Sequence, residues 1–321
     1  MILRGINFGP ALDAAGVEGF FGEGYFHHRF FRPFGLNFKG CTFVAKTTTL
    51  QARQGNMPMK KNGITPKETK PACIKVYFLK GMMLNAVGLS GPGAEALFNS
   101  GRWQKRTTPF FISFMSTHSM PEARISELKR FVLMFKKYLP RFSAKVGLQI
   151  NYSCPNAGLN PDELVYEAAE GLEIAGRLNI PLMPKFNILA PIKAILEISE
   201  NQNCDAICVS NAIPFGHLPE KIKWQRLFGS EDSPLAKFGG GGLSGRPLLI
   251  PVAEWVDSAI KAGVKKPINA GGGILHPYDV DTLFNAGASS VFIGSMATLR
   301  PWRVKKTIAR AYYLFTNGGP M

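Results

Sequence analysis

The residues best equipped for chemistry lie in Leu148-Gln-Ile-Asn-Tyr-Ser-Cys-Pro-Asn156, where amides, a hydroxyl and a thiol follow an apolar run. Val146 to Ile150 predict a short buried strand. Pro155 cannot continue a strand ladder, so Asn151, Ser153, Cys154 and Asn156 fall just past that strand's C-terminal end. Folds that alternate strands and helices place their reacting groups there. An amide pair can hold a flat polar heterocycle through matched donors and acceptors. A thiol beside it can move a proton or act as a nucleophile. An isolated buried cysteine is more often a small hydrophobe; the polar neighbours on a strand-end turn favour the chemical role for Cys154. Other strand ends carry similar groups. Cys41 to Lys46 delivers Lys46 and then Thr47, Pro181 to Phe186 delivers Lys185, and Asp205 to Asn211 delivers Asn211. A lysine closing an apolar strand is costly to bury unless it meets an anion or a strong acceptor.

The elements that must position these residues follow a regular alternation. Apolar runs predict strands at Pro10–Gly16, Cys41–Lys46, Phe110–Met115, Val146–Ile150, Pro181–Phe186, Asp205–Asn211, Pro267–Gly273 and Ser290–Ser295, with helical patterns following most of them. Ser119 and Glu122 form a capping-box pattern before one helix. Asn160, Pro161 and Glu163 mark the start of another. Eight strands alternating with helices predict a (β/α)8 TIM barrel, an α/β fold in one domain spanning residues 1–321. Inserted loops then cover its C-terminal mouth, an excursion at about 50–108 and a loop at about 213–238. A doubly wound sheet is the alternative, but no G-x-G-x-x-G follows the first strand.

Glycine sites cluster late in the chain: Gly239-Gly-Gly-Gly-Leu-Ser-Gly-Arg-Pro247, expected as a turn entering a helix, Gly271-Gly-Gly273, and Gly294-Ser295. Bare backbone N–H groups at such turns bind phosphate, and barrels commonly build that site after strands 7 and 8. Lys46 and Lys185 would place positive charge near a bound ring.

The net charge of +16 suits nucleic acid, an anionic membrane or acidic metabolites. The basic residues are nevertheless spread over the polar sides of helices, which favours a solvated surface. The five cysteines form no C-x-x-C pair, which argues against zinc or an iron–sulfur cluster and fits a reducing cytosol. No apolar run approaches a bilayer span, and the start has no signal-peptide layout. Phe20 to Phe38 is dense in aromatics, expected to pack on the barrel or to form a greasy docking surface for a quinone, membrane or partner.

Asn151-Tyr-Ser-Cys-Pro-Asn156 resembles the active-site signature of the dihydroorotate dehydrogenases, in the class whose base is cysteine. The resemblance extends along the chain. Lys46-Thr-Thr-Thr-Leu50 with Gly55, Asn56 and Pro58 is similar to the family's early lysine strand and following loop. Asn85 with Gly88 and Leu89 resembles its substrate loop, and Lys185 and Asn211 its fifth- and sixth-strand residues. Gly242, Ser244, Gly245, Gly272, Gly273, Gly294 and Ser295 resemble its flavin phosphate site.

The resemblance implies an FMN-dependent barrel that oxidises dihydroorotate to orotate in pyrimidine synthesis. It implies Cys154 as base, with Lys46, Asn85, Gly88, Leu89, Asn151, Asn156, Asn211 and Ala212 at the substrate. It further implies Ala15, Gly16, Lys46, Thr47, Asn151, Lys185 and Ser210 at the flavin, beside the glycine sites. The electron acceptor would be fumarate, a quinone or a separate electron-transfer subunit. No nucleic-acid partner is expected, a homodimer is left open, and the expected location is the cytoplasm or the periphery of a membrane. The chain departs from the family in Ala212, where Ser or Thr is usual, in Asp13-Ala-Ala-Gly16, in the aromatic segment, and in lacking an arginine after Gly55-Asn-Met-Pro58. Alternatives are a pyrimidine-reducing barrel like that of dihydropyrimidine dehydrogenase, an RNA-modifying barrel like the tRNA-dihydrouridine synthases, and a flavin-binding barrel without catalysis. The first usually has His where Asn156 stands; the second usually adds a C-terminal helical domain.

Overall fold

The computed structural model describes residues 1–153, 165 and 167–316. Asn160, Pro161 and Glu163, expected to open a helix, lie outside the described residues.

Seven parallel strands form one curled sheet in the spatial order Ala11–Asp13, Ser290–Ile293, Ile268–Ala270, Ile207–Val209, Leu182–Phe186, Val146–Asn151 and Phe110–Phe114. The gap between its two edges is bridged by residues 42–48. Leu12 pairs with Thr42 on one side, and Val44 and Thr48 pair with Phe111 and Phe114 on the other, all in parallel. The amides of Asp13 and Ala45 donate to Thr42 O and Phe111 O, both at 2.9 Å. The sheet therefore closes into an eight-staved (β/α)8 barrel, numbered here as staves 1 to 8 in chain order, with residues 42–48 as stave 2. Every residue of staves 3, 4 and 5 is buried. Strands covered on both faces read as continuous apolar runs, which is why these were visible in the sequence.

The barrel interior is filled at its lower end. The hairpin Ile2–Leu3 and Ile6–Asn7 lies at the chain start, and Leu3 and Phe8 join Leu12, Val44, Phe111, Met183, Cys208 and Phe292 in one buried cluster. The rings of Phe8 and Phe111 lie 4.3 Å apart. With that end packed, the polar residues at the stave C-termini are left for the opposite mouth.

Over that mouth runs a four-stranded antiparallel sheet, in the order Ile213–Pro214, Gly242–Gly245, Met82–Asn85 and Ile74–Tyr77. The excursion after stave 2 and the segment after stave 6 thus interlock. This corrects one expectation. Gly242 to Gly245 are not a turn leading straight into a helix but a strand, with Gly242 opposite Asn85 and Gly245 opposite Met82. Gly245 has φ +100°, and a Cβ there would run into Gly81 O. Glycine is required for close approach of two backbones. A 3-10 turn, Arg246–Leu248, then leads into the helix Leu249–Lys261.

The capping box is corrected as well. The helix Pro121–Tyr138 begins after Met120, with no side-chain cap, and Pro121 supplies the missing-donor position. Arg124 does the organising instead: its Nη1 donates to His118 O (3.0 Å) and Ser119 O (2.7 Å). Glu127 accepts from Thr117 N at 2.8 Å. A long cation reaching back holds this entry where the shorter Ser119 was expected to. The aromatic segment divides: Phe20 and Phe21 are buried, whereas Phe26, Phe30 and Phe34 are exposed.

Candidate active site

Staves 4, 5 and 6 set adjacent polar residues at one level. The register pairs Asn151 with Lys185 and Lys185 with Cys208, so Asn151, Lys185 and the end of stave 6 lie side by side at the mouth. Asn151 is buried, and its Oδ1 accepts from Ser153 N (3.1 Å), Ser153 Oγ (3.3 Å) and Asn211 Nδ2 (3.3 Å). One amide oxygen thereby ties the turn after stave 4 to the end of stave 6. The Asn211 Oδ1 accepts from Ala212 N at 2.9 Å, which fixes which way that amide faces. The usual Ser or Thr hydroxyl is replaced at Ala212 by a methyl, but its backbone still orients Asn211. Ser210 Oγ donates to Asn211 O at 2.6 Å. Cys154 and Asn156 lie outside the described residues, one and three positions after Ser153.

Lys185 is buried and sits 5.3 Å from the Phe292 ring centroid. It points toward the interior cluster from stave 5, close enough to Cys208 to oppose the effect of burial on that thiol, which is nonetheless pushed up to about 12. Lys46, ending the regular part of stave 2, is buried and donates from Nζ to Ser90 O, and it lies 4.7 Å from the Phe20 ring centroid. Burial lowers its pKa to about 8, with Glu23 and Cys73 pulling the other way. Desolvation disfavours a charge that lacks a full counter-ion. Thr47 Oγ1 shares a 2.9 Å hydrogen bond with Ser113 Oγ of stave 3.

The early turn reaches Lys46. Gly16 has φ +92°, and a Cβ there would sit 3.1 Å from Lys46 Cγ. Ala15 is its neighbour in this turn, and Gly19 O accepts from Lys46 N at 2.9 Å. Gly294, ending stave 8, faces the same turn: a Cβ on it would lie 3.1 Å from Ala14 Cβ. Ser295 follows and precedes the short helix Met296–Leu299. Gly272 has φ +137°, and a Cβ there would lie 3.5 Å from Leu248 Cβ and 3.9 Å from Ser210 Cβ. At Gly273 a Cβ would clash with Leu249 N. The ends of staves 6 and 7 and the turn before Leu249–Lys261 therefore meet. Gly242 and Ser244 stand in the mouth sheet, where Gly242 is paired with Asn85. The glycine sites thus surround the mouth from the sides of staves 1, 6, 7 and 8.

The loop holding Gly88 and Leu89 is positioned from the other side. Gly88 and Leu89 both have positive φ, +71° and +60°. Arg53 Nε donates to Gly88 O at 2.9 Å, Arg53 and Gly91 exchange backbone hydrogen bonds at 2.9 Å each, and Asn56 Nδ2 donates to Ala86 O at 2.8 Å. No arginine follows Pro58, but Arg53, on the other side of Asn56, grips the loop. Arg53, Ser90 and Ser113 escaped the sequence reading. Their partners lie tens of residues away, and no local pattern announces them.

The chain matches the family model described as dihydroorotate dehydrogenase over residues 9–311. Among curated relatives, it is 29% identical to the protein of Bacillus mycoides named "Dihydroorotate dehydrogenase B (NAD(+)), catalytic subunit", covering 91% of this chain and 84% of that one. It is likewise 29% identical to the protein of the same name from Bacillus cytotoxicus, covering 91% and 83%. Among solved structures, DHODH of Eimeria tenella without ligand superposes with a TM-score of 0.71 at 18% identity, covering 99% of this chain and 88% of that one. The same protein in complex with ferulenol gives 0.69 at 17% identity, covering 99% and 84%. At that identity these structures speak for the fold, while the family model spans all eight staves and the mouth between them. The chain belongs to the dihydroorotate dehydrogenase family, a family of flavin-dependent oxidoreductases.

Proposed function

We propose that this protein oxidises dihydroorotate to orotate in pyrimidine synthesis, with FMN bound at the mouth of a single barrel domain and Cys154 as general base. The observation that carries this reading is the Asn151–Asn211 hydrogen bond at 3.3 Å, which draws two amides together across the buried Lys185. Paired amides beside a cationic group suit a ring that carries both imide edges and a carboxylate.

The residues present fit a flavin mononucleotide. Gly272 and Gly273 leave backbone room beside Ser210 and Leu249, where a Cβ would fill the space or clash. Gly294 and Ser295 would add backbone donors from stave 8, and Gly242, Ser244 and Gly245 a wall from the mouth sheet. Ala15, Gly16, Lys46, Thr47 and Lys185 would border the ring. When bound, FMN supplies a two-electron acceptor for the hydride that leaves C6 of the substrate. Asn85, Asn151, Asn156 and Asn211 would hold the pyrimidine ring and its carboxylate, with Gly88, Leu89 and Ala212 lining the pocket. The Cys154 thiolate would take the C5 proton and become a thiol. Its neighbour Ser153 is held on Asn151.

The name of the Bacillus relatives, a catalytic subunit of an NAD(+) enzyme, supports a separate electron-transfer subunit as the partner of this chain. Among the described residues no helix is long and apolar enough to cross a membrane; we place the protein in the cytoplasm. The test is anaerobic addition of dihydroorotate to the purified protein. Bleaching of the flavin, with FMN released on heating, is expected. Subsequent mixing with fumarate or a quinone should reoxidise it slowly, since neither replaces the partner subunit. A protein that takes up FMN and is not bleached refutes the reading.

A further inference from the structure

The helical layer is thin beside staves 1 and 2. The helix Phe26–Phe31 has six residues and continues only as the 3-10 turn Arg32–Phe34. Between this segment and the outer wall of the barrel lies a cavity of about 530 Å³, whose lining includes Glu18, His28, Arg32, Lys39, Phe43 and Arg106. That volume falls in the range of small-molecule sites. None of its lining residues is among those placed at the mouth. Leu12 points into the barrel interior, so its neighbour Asp13 points outward through the wall.

Unpaired polar atoms gather here. His28 is 3% exposed and its Nε2 has no hydrogen-bond partner. Asp13, 2% exposed, is not part of the lining, and its carboxyl meets the Glu18 carboxyl and the Cys41 thiol. Arg106 Nε is buried without a partner too, although its Nη1 donates to Phe21 O at 3.1 Å and its guanidinium lies 3.9 Å from the Phe43 ring centroid. Each such group left unpaired costs about 1–3 kcal/mol, so their meeting on one cavity calls for an occupant. The charges say what kind. Burial, with Glu18 next, raises the Asp13 pKa, which favours its neutral acid. Burial lowers that of His28 to about 3, so its ring is neutral. Arg32, Lys39 and Arg106 then outnumber the Glu18 carboxylate.

We propose that this flank cavity binds a small phosphorylated polyol. The phosphate dianion would pair with Arg32, Lys39 and Arg106, and a hydroxyl, which can both donate and accept, would meet His28 Nε2. The probe is ribose 5-phosphate, titrated calorimetrically into the flavin-loaded full chain. Saturable binding is expected, weakened about fivefold or more by Arg32→Ala and by Lys39→Ala. Both side chains are exposed, so these variants should fold and keep the wild-type rate of flavin reduction by dihydroorotate. His28→Phe should weaken ribose 5-phosphate but leave binding of inorganic phosphate unchanged. Inorganic phosphate and ribose should each bind at least about tenfold more weakly than ribose 5-phosphate. No heat at millimolar ribose 5-phosphate, equal affinity in wild type and both cation variants, or phosphate alone binding as tightly would each overturn the proposal.

Discussion

Asn151 and Asp13 occupy comparable places, each buried at the C-terminal end of a barrel stave. Asn151 faces the mouth and its Oδ1 collects donors from Ser153 and Asn211. Asp13 faces the outer flank, where it meets the Glu18 carboxyl and the Cys41 thiol and no amide donor. The same contrast holds for the cations. Lys46 at the mouth donates to Ser90 O; Arg106 on the flank donates to Phe21 O yet keeps its Nε unpaired. The difference follows from what covers each end. The mouth lies under an antiparallel sheet whose strands come from two excursions, and that sheet brings many backbone acceptors and donors. The flank lies under six helical residues and a 3-10 turn, which bring few. A barrel can therefore hold a preorganised polar site at its mouth and an unfilled one in its side, built from the same kinds of residue.

The largest effect that can break this contrast is at Cys154. If the mouth is the reaction site, Cys154→Ala should slow flavin reduction by dihydroorotate by about 100-fold or more while orotate still binds, because only the proton transfer is lost. Cys154→Ser should keep a little activity, shifted to higher pH, since a hydroxyl is a weaker acid. Stopped-flow reduction of the alanine variant at the wild-type rate would remove Cys154 from the mechanism.

How much of this contrast was legible in the sequence differs by region. Staves 3 to 8 announced themselves, because buried parallel strands are unbroken apolar runs that end in a polar residue or glycine. Stave 2 was equally visible, although its backbone meets its neighbours only through isolated pairings. The mouth's Asn151, Lys185 and Asn211 were legible for the same reason: each is the polar residue that ends such a run. What pins the neighbouring Thr47, Lys46 and Gly88 was not. Ser113 under Thr47, Ser90 on Lys46 and Arg53 on Gly88 are contacts made by tertiary folding. Local patterns misled at Ser119 and Glu122, where Arg124 outreached the expected cap, and at Gly242–Gly245, where pairing with Met82–Asn85 turned an expected turn into a strand. The flank was hidden because an outward-facing Asp13 in a three-residue stave looks like any surface carboxylate.

The second test is the amide bridge. Asn151→Ala removes the acceptor that serves both Ser153 and Asn211, and Asn211→Ala leaves Asn151 with one partner fewer. Each should weaken orotate binding by about 1–3 kcal/mol, the cost of leaving a ligand group unpaired. Calorimetric titration decides it, and unchanged affinity in either variant would show that the bridge is structural only.

A third, smaller effect separates the mouth from the flank through pH. The pKa of Lys46 is lowered to about 8 by burial, while in the unfolded chain it returns to the ordinary lysine range near about 10.4. Between those values the unfolded state binds more protons, so this group makes stability rise with pH across that window. The gain should be on the order of 2 kcal/mol in the flavin-free protein, read as the difference between wild type and Lys46→Met in urea unfolding. Equal slopes in the two proteins would mean that Lys46 finds a full counter-ion in solution.

The smallest change tests the flank, at Asp13. Its pKa is raised by burial first and by Glu18 second. The folded state therefore keeps a proton that the unfolded state gives up as pH rises past the ordinary carboxylate range, and stability from this group is present in acid and lost as pH climbs toward the raised value. At neutral pH the wild type bears the cost of holding a neutral acid in place of a hydrated carboxylate. Asparagine has nearly the same shape and no such cost, so Asp13→Asn should melt slightly higher than wild type at pH 7. The advantage should shrink and vanish as the pH falls into the range where the unfolded carboxyl is also protonated. Thermal melts of both proteins across that range measure it. A variant that melts lower than wild type at neutral pH would mean that the Asp13 carboxylate is ionised and paired in solution, and the flank would then be as well satisfied as the mouth.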